Sequence, residues 1–404
     1  MTLRYSTDIV IFGGGIAGLW LLNSLREAGY QAILFERHTI GGGQTLASQG
    51  IIHGGLKYAL QGSLTGAAQA IAAMPERWRQ CLAGEGDMDL RGTRVLCEHY
   101  YMWSGASMRS KLKSFLGSKS LRGRVDTVPQ AEYPEFFQQA SIKGTLYQLP
   151  DFVVDSESLI DVLAGRQQAH LFSLPDQVVE FGSDGFSDAR TLKLTHREHD
   201  IEMSVQRFIF AAGEGNKGLI NAAGLGKPQT QVRPLNMVYL KMPGLPQLFV
   251  HCIGDSFSLT PRLTVTSHRD ESGETVWYLG GDIAETGVGK TDAEQVDRAR
   301  QLLDELFPWI DVTAAEWRCF TINRAEPKVE NDSRPDDAYF TKEENILVTW
   351  PTKLTLAPAL SDQVLADLRK DKIIPSSAAP EITLEAILKP AVIGAPEWHL
   401  GTTA

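Results

Sequence analysis

Hydrophobic and polar positions at the start of the chain predict a strand, a tight turn, a helix and a second strand. The apolar run at Asp8–Phe12 is typical of a strand that is covered on both faces. Leu19–Ala28 has the pattern of a helix, and Gly29 follows where such a helix ends. Ala32–Phe35 is a second apolar strand that leads into Glu36. Together these elements predict a βαβ unit.

The turn after the first strand carries the glycine pattern of a dinucleotide-binding site. Gly13, Gly15 and Gly18 form the sequence GxGxxG. Gly13 permits a tight turn, Gly15 lets backbone N–H groups approach a pyrophosphate, and Gly18 lets the helix pack closely on the sheet. Glu36, 18 residues beyond Gly18, is placed to accept hydrogen bonds from the adenosine ribose. The unit therefore predicts dinucleotide binding, and it does not by itself choose between NAD and FAD.

Three later segments resemble motifs of one flavoprotein family. Residues 41–58 are a loop rich in glycine and small polar residues, residues 208–216 are an apolar strand that ends in a small-residue turn, and residues 350–358 precede a helix-like stretch. In this order the chain resembles the FAD-dependent oxidoreductases of the D-amino-acid oxidase superfamily. The stretch 52–58 is similar to the branch that contains FAD-linked glycerol-3-phosphate dehydrogenase and L-2-hydroxyglutarate dehydrogenase. FAD is therefore the expected cofactor.

The resemblance implies an α/β fold (α+β overall), in which a Rossmann-type FAD-binding domain carries an inserted antiparallel-sheet substrate domain. The implied FAD-binding segments are 1–90, 151–225 and 331–404, the last with a C-terminal extension, and the substrate segments are 91–150 and 226–330. A lysine near the pyrimidine end of the flavin would stabilise its anionic reduced form. The positions expected to bind FAD are Gly13, Gly15, Ile16, Ala17, Gly18, Glu36, Arg37, Thr45, Ser48, Gln49, Gly50, Val179, Ala212, Gly213, Lys353, Leu354 and Thr355.

Two departures from the family's pattern affect the predicted substrate. Pro351 and Thr352 stand where the family usually has glycines against the flavin. Trp317–Arg324 stands for the family's Trp-x-Gly-x-Arg-Pro stretch, with altered spacing. Flavin binding is expected to survive both changes. The two departures weaken the inference from the family to the substrate.

One histidine and four arginines are candidates for the chemistry. His53 lies in the loop expected near the flavin ring, and it is predicted to be the general base that takes the proton of a substrate hydroxyl. The alternatives are a histidine that only hydrogen-bonds cofactor or backbone, and a histidine joined covalently to the flavin. Arg262 and Arg324 are predicted to anchor an anionic substrate, because a guanidinium grips carboxylate or phosphate with two hydrogen bonds. Arg262 is expected in a strand-like segment and Arg324 in a polar turn, and Arg233 and Arg318 are further candidates.

The predicted reaction transfers a hydride from the CH–OH group of a small anionic substrate, a 2-hydroxy acid or a polyol phosphate, to FAD. One alternative is oxidation of a CH–NH bond in an amino acid or amine. Another, from a different class, is an FAD-binding partner or scaffold protein without turnover of its own. The sequence does not specify whether oxygen, a quinone or another electron acceptor is used.

Composition narrows the class of protein further. The chain has 404 residues, which is enough for two or three structural units. Its net charge of −10 argues against a general nucleic-acid binder. The four cysteines show no CxxC spacing, so we expect reduced, buried thiols and no metal site. The apolar run Ile9–Leu22 is too short to span a bilayer and is interrupted by glycines, so a cytoplasmic location is expected.

Three remaining segments are interpreted from their pattern. Asp292–Leu306 has the apolar spacing of a helix. Residues 108–124 contain six basic residues and no acidic one, and are read as a solvated face, a funnel for an anionic substrate or a weak peripheral contact with an anionic membrane. The proline-containing tail after residue 372 is expected to wrap irregularly on the surface, with no role assigned to Trp398 or His399.

Overall fold

The computed structural model describes residues 2–55, 66–105, 125–174, 179–183, 190–196, 199–253, 260–329, 335, 337–377 and 382–399. Within these residues the chain forms a Rossmann-type sheet and a second large sheet, which confirms the predicted fold class. The basic segment 108–124 lies outside the described residues.

The first sheet is built around the predicted βαβ unit. Among the described residues its eight strands are β1 (Thr2–Phe12), β2 (Ala32–Glu36), β10 (Leu171–Ser173), β11 (Val179–Ser183), β12 (Arg190–His196), β13 (His199–Phe210), β19 (Tyr339–Glu343) and β20 (Ile346–Trp350). They lie in the order β10-β2-β1-β13-β12-β11, and β20 pairs with the second half of β13 and with β19. The pairs β2–β1, β1–β13 and β13–β20 are parallel, so these strands end at one edge of the sheet.

The second sheet is antiparallel except at one pair. Its strands in the described part of the chain are β6 (Tyr101–Gly105), β7 (Asp126–Thr127), β8 (Gly144–Gln148), β14 (Thr230–Lys241), β15 (Val250–Ile253), β16 (Leu263–Arg269), β17 (Thr275–Gly280) and β18 (Glu316–Pro327). Their order is β18-β14-β17-β16-β15-β6-β8-β7, with β15 and β6 parallel. All eight strands come from the segments 91–150 and 226–330; the domain boundaries themselves stay a prediction.

Two small sheets connect the loops to the body of the protein. One consists of β4 (Ile51–Ile52), β9 (Phe152–Val154) and β5 (Val95–Cys97). The other pairs β3 (Thr39–Ile40) with β21 (Val392–Ile393) in parallel. The C-terminal tail is therefore a partner of the loop that follows the βαβ unit.

Helices pack against the two large sheets. Those described are α1 (Ile16–Glu27), α2 (Gly66–Ala83), α3 (Glu135–Gln138), α4 (Ser156–Gly165), α5 (Asn216–Ala222), α6 (Asp282–Thr286), α7 (Asp292–Leu306) and α8 (Ala357–Lys370). Helix α7 has the predicted bounds, and it starts with a capping box formed by Thr291 and Glu294. Short 3-10 turns occupy Gln130–Glu132, Gln168–His170, Gly213–Gly215, Leu354–Leu356 and Leu384–Ala386.

The apolar run at the N terminus forms the centre of the first core. Ile9–Phe12 of β1 and most of α1 are buried, and the Trp20 ring lies 4.9 Å from the Trp78 ring of α2. None of the described helices combines the length and the apolar character that crossing a membrane would require. All four cysteines are free thiols; Cys81 and Cys252 are buried and the other two are half-buried, which corrects the expectation that all would be buried.

The expectation of an irregular surface tail is wrong at two places. Besides the β3–β21 pairing, Trp398 is buried, with its ring 4.5 Å from that of His268 and 5.2 Å from that of Tyr278. His399 bridges Glu157 of α4 and the backbone oxygen of Arg269, through contacts of 3.2 and 2.9 Å. Burial of the indole and the contacts of His399 both favour this ordered position of the tail over a free chain.

Candidate functional site

A cavity of about 1080 Å³ lies at the edge of the first sheet where β1, β13 and β20 end. Residues of β14 and β18 from the second sheet also line it. The predicted site residues in its wall are Gly13, Gly15, Ile16, Ala17, Glu36, Arg37, Thr45, Ser48, Gln49, Ala212, Gly213, Arg324, Lys353 and Leu354. Crevices at the carboxyl ends of parallel strands are the usual ligand sites of such sheets.

The glycine turn allows three backbone segments to approach one another. Gly13 has φ +109°, and a Cβ there would lie 2.5 Å from the Cα of Ala212. A Cβ on Gly18 would lie 1.9 Å from the Gly13 oxygen. Gly18 does not itself line the cavity among the described residues. The geometry supports its role in close packing of α1, which here lies against the glycine turn.

The start of α1 is held by two side chains of the cavity wall. The Thr45 hydroxyl accepts a hydrogen bond from the Ile16 N–H at 3.0 Å. Glu36 accepts from the Gly14 N–H at 2.6 Å and from the His38 N–H at 2.8 Å. Glu36 therefore fixes the glycine turn as well as facing the cavity. A helix N terminus held in this way offers N–H groups to a pyrophosphate.

The wall fits FAD in its chemistry. One part offers the α1 N terminus and the carboxylate of Glu36, which match a pyrophosphate and a ribose. Another part is formed by the stretch Trp350–Leu354, which brings Lys353 to the same cavity. Residues from both termini of the chain thus contribute to one continuous dinucleotide-sized space.

Thr352 takes a backbone conformation that glycine favours. Its φ is +61°, and its hydroxyl donates to the Asp337 oxygen at 3.1 Å. The hydrogen bond offsets part of the strain of a β-branched residue at positive φ. The departure at Pro351 and Thr352 therefore leaves both residues in the cavity wall.

Three further predicted residues lie outside the wall within the described part of the chain. Thr355 is fully buried, and its hydroxyl accepts from the His53 N–H at 3.0 Å. Gly50 has φ +68°, and a Cβ there would lie 2.0 Å from the Val154 oxygen. Val179 begins β11 and pairs with Leu194. Thr355 therefore holds the backbone of His53, and Gly50 allows close approach to the backbone of Val154. A role for Val179 in FAD binding stays a prediction.

His53 belongs to a cluster that the sequence did not reveal. Its Nδ1 lies 3.0 Å from Asp151 Oδ2, and Asp151 Oδ1 accepts from the Gly54 N–H at 2.9 Å. The His53 side chain is 37% exposed and that of Asp151 is 4% exposed. The His251 ring lies nearly parallel to the His53 ring, 6.1 Å away. His53 does not line the large cavity among the described residues, but Thr355 joins its backbone to the stretch that does.

His251 is held neutral. Burial, and secondarily the neighbouring His53, lower its pKa to about 3. Its Nδ1 lies 2.9 Å from the Thr264 hydroxyl. Ligand atoms of His53, Asp151 and His251 lie within 4.8 Å of one another, which is close enough to hold a metal ion, although no metal site was expected from the sequence. Nothing in the local sequence around these three residues signals that they meet.

The two predicted anchor arginines have different surroundings. Arg324 lines the cavity and lies within β18, paired with Arg233, so the expectation that it sits in a polar turn is wrong. Its Nη2 lies 3.3 Å from Glu285 Oε1. Arg262 precedes β16 and makes a two-point ion pair with Glu305 at 2.7 and 2.6 Å, outside the cavity wall of the described residues.

Gln49 and Tyr278 join the cofactor loop to the second sheet. Gln49 Nε2 donates to the Tyr278 oxygen at 3.0 Å, and the Tyr278 hydroxyl donates to the Ala47 oxygen at 2.7 Å. The loop that lines the cavity is thereby fixed against the sheet opposite. A dinucleotide-sized cavity closed by a second, mainly antiparallel sheet is the arrangement that the resemblance to FAD-dependent oxidoreductases leads us to expect.

Comparison with known proteins identifies the family. The model of the FAD dependent oxidoreductase (DAO) family matches residues 8–347, and the chain belongs to that family. It is 45% identical over 394 residues to a probable FAD-dependent oxidoreductase, PA4991, of Pseudomonas aeruginosa, covering 97% of this chain and 98% of that protein. The crystal structure of PA4991 superposes with a TM-score of 0.84 at 40% identity, over 98% of this chain and 99% of that one.

Two more distant structures share the fold. Glycine oxidase from Geobacillus kaustophilus has a TM-score of 0.64 at 19% identity, covering 97% of this chain and all of that one. L-alpha-glycerophosphate oxidase from Mycoplasma pneumoniae, solved with FAD bound, has a TM-score of 0.64 at 13% identity, covering 90% and 95%. The protein is therefore an FAD-dependent oxidoreductase, and FAD is its cofactor.

Proposed function

We propose that the protein oxidises the CH–OH group of a small anionic substrate, a 2-hydroxy acid or a polyol phosphate. The observation that carries the proposal is the position of His53. Its imidazole is half-exposed, and its backbone N–H is bonded to Thr355, one residue beyond the cavity-lining Leu354. An alcohol needs a base during oxidation more than a neutral amine does, and an imidazole at this place supplies one.

The chain's residues would divide the work between proton transfer and binding. Bound FAD supplies the acceptor of the hydride. His53 takes the hydroxyl proton, while the C–H bond gives up its hydrogen with both electrons and the carbon–oxygen bond becomes a carbonyl. Arg324, in the cavity wall, pairs with the carboxylate or phosphate of the substrate in place of Glu285. The similarity of residues 52–58 to the glycerol-3-phosphate and L-2-hydroxyglutarate dehydrogenase branch supports this substrate class.

Oxidation of a CH–NH bond is the second candidate. Arg324 would bind an amino-acid carboxylate equally well, and the fold is shared with a glycine oxidase as well as with a glycerophosphate oxidase. In this alternative His53 would only hold backbone and Asp151, since a neutral amine can be oxidised without a base. The two candidates therefore differ in what removal of the imidazole does.

The test is anaerobic reduction of the bound flavin, followed by its absorbance, with panels of 2-hydroxy acids, polyol phosphates and amino acids. We expect reduction by a hydroxyl substrate and a loss of about 10²–10⁴-fold in rate for His53→Ala. The exposed His99 gives a matched control, and His99→Ala is expected to keep the wild-type rate. Reduction by amino acids alone, or an unchanged rate in His53→Ala, would overturn the proposal.

The same preparation shows how FAD is held. Acid precipitation is expected to release a yellow supernatant, as for a non-covalent flavin. Colour that stays with the precipitate would mean a covalent link, and its loss in His53→Ala would make His53 the attachment residue instead of the base.

A further inference from the structure

We propose that Asp151 is a positioning residue that fixes the tautomer of His53, so that Nδ1 carries the hydrogen and Nε2 is left to accept a proton. The inference rests on the proposed function in one respect, namely that His53 acts as the base. The tautomer itself is a property of the resting protein, and it can be measured whatever the substrate is.

The contacts of Asp151 leave one arrangement of hydrogens. A carboxylate only accepts hydrogen bonds, and Asp151 is almost completely buried. Its Oδ1 is used by the Gly54 N–H at 2.9 Å, and its Oδ2 faces His53 Nδ1 at 3.0 Å. A buried carboxylate without donors would be costly, so the contact at Oδ2 requires a hydrogen on Nδ1. The neutral ring then has its lone pair on Nε2.

The backbone around His53 is held in place beside the carboxylate that its ring contacts. The His53 N–H is bonded to Thr355 and the next N–H, that of Gly54, is bonded to Asp151 itself. Asp151 therefore holds both the main chain and the ring of the same loop. After proton transfer the same carboxylate faces an imidazolium ion, and an opposite charge at this distance stabilises it.

Among the residues that the structure describes, other ionisable groups near the cluster do not replace Asp151. His251, on the other face of His53, is neutral because burial lowers its pKa to about 3. The Tyr100 ring lies 4.5 Å from the His251 ring and is tilted by 49° against it, and burial raises the pKa of Tyr100 well above the usual range, so it is also neutral. Arg79 donates to the Pro150 oxygen at 3.2 Å. Asp151 is thus the group in direct contact with His53 Nδ1 that selects its protonation.

The matched perturbation is Asp151→Asn, which keeps the size of the side chain. An amide oxygen at Oδ1 still accepts from the Gly54 N–H, while an NH₂ group now faces His53 Nδ1. The ring must then accept at Nδ1 and carry its hydrogen on Nε2, which removes the free lone pair. Glu157→Gln is the control, because it makes the same exchange opposite His399 Nδ1, 3.2 Å away, in the C-terminal tail.

The experiment is a long-range ¹H–¹⁵N correlation spectrum of the FAD-loaded protein with ¹⁵N-labelled histidine, recorded at a pH where the rings are neutral. The signals of His53 are identified as those that are missing from the spectrum of His53→Ala. We expect the Nδ1–H pattern for His53 in the wild type and in Glu157→Gln, and the Nε2–H pattern in Asp151→Asn. A wild-type ring with Nε2–H would overturn the inference, even if Asp151→Asn failed to fold. So would signals that change on treatment with EDTA, because a metal ion would occupy the nitrogen in place of the hydrogen.

Kinetics separates the inference from the proposed function. With a substrate found in the panel, Asp151→Asn is expected to lower kcat by about 10²–10⁴-fold with little change in KM or in FAD content. If His53→Ala is inactive but Asp151→Asn behaves as wild type, the inference fails and the proposed function stands. If His53→Ala is active, the proposed function fails, and the spectrum alone decides the tautomer.

Discussion

Gly18→Ala tests how closely α1 must approach the glycine turn for FAD to bind. The added Cβ would lie 1.9 Å from the Gly13 oxygen, whereas real Cβ contacts essentially never fall below 3.0 Å. The helix or the turn must therefore move by about 1 Å, and the atom in the way is backbone, which cannot rotate aside. Overpacking of this kind costs about 1–3 kcal/mol. Because the strain falls on the cofactor turn, we expect FAD affinity to fall by about 5- to 150-fold.

The assay is the FAD content of the purified protein, together with titration of FAD-depleted protein followed by flavin fluorescence. Gly165→Ala is the control, since Gly165 is also helical, at the end of α4, and has nothing within 4 Å of an added Cβ. It is expected to bind FAD as wild type and to gain about 0.5–1 kcal/mol in stability. Gly18→Ala protein that retains FAD with wild-type affinity would refute the assignment of Gly18 to helix–turn packing.

Three other predictions concern stability, each measured by urea unfolding of the FAD-loaded protein. Burial lowers the pKa of His268 to about 4, so the unfolded chain binds more protons than the folded one between pH 6.5 and 4. Stability therefore falls as the pH falls. Between pH 7 and 5 the loss of stability from this group is about 2 kcal/mol, and His268→Gln should remove that loss. A pH dependence unchanged in His268→Gln would show that the ring titrates normally. Trp398→Ala is expected to cost about 3–5 kcal/mol because the indole is buried, and Trp398→Phe less; a loss below 1 kcal/mol for the alanine would mean that the tail is loosely held. Thr352→Gly relieves the strain of φ +61° but loses the hydrogen bond to Asp337, so its stability should remain close to that of the wild type. Thr352→Val keeps the strain without the hydrogen bond and should lose about 1 kcal/mol of stability. Equal stability of the two variants would contradict this reasoning.

Local patterns predicted the framework of the protein. The GxGxxG turn and its flanking elements form β1, α1 and β2, and Asp292–Leu306 is a helix with the predicted ends. These features are readable because their causes lie within a few residues: side-chain period, capping groups, and glycines at places where a Cβ would collide with backbone. The resemblance to a flavoprotein family added further residues of the cavity wall, including Lys353 and Thr45.

Long-range contacts decided what the sequence could not. His53 and Asp151 are separated by 98 positions. His53 directly follows β4, Asp151 directly precedes β9, and the two residues meet because these strands pair antiparallel. Arg324 and Arg262 are equally good candidates for the anionic anchor when the sequence is read alone. Pairing of β18 with β14 brings Arg324 to the cavity, whereas Arg262 is paired with Glu305 of α7 outside the cavity wall of the described residues. The sequence alone determined the turn that binds the dinucleotide, because that turn depends on neighbouring residues, and the resemblance of three later segments to one family indicated FAD. The surroundings of the base and of the anionic anchor were decided by tertiary structure, since strand order and register set which distant side chains share a surface.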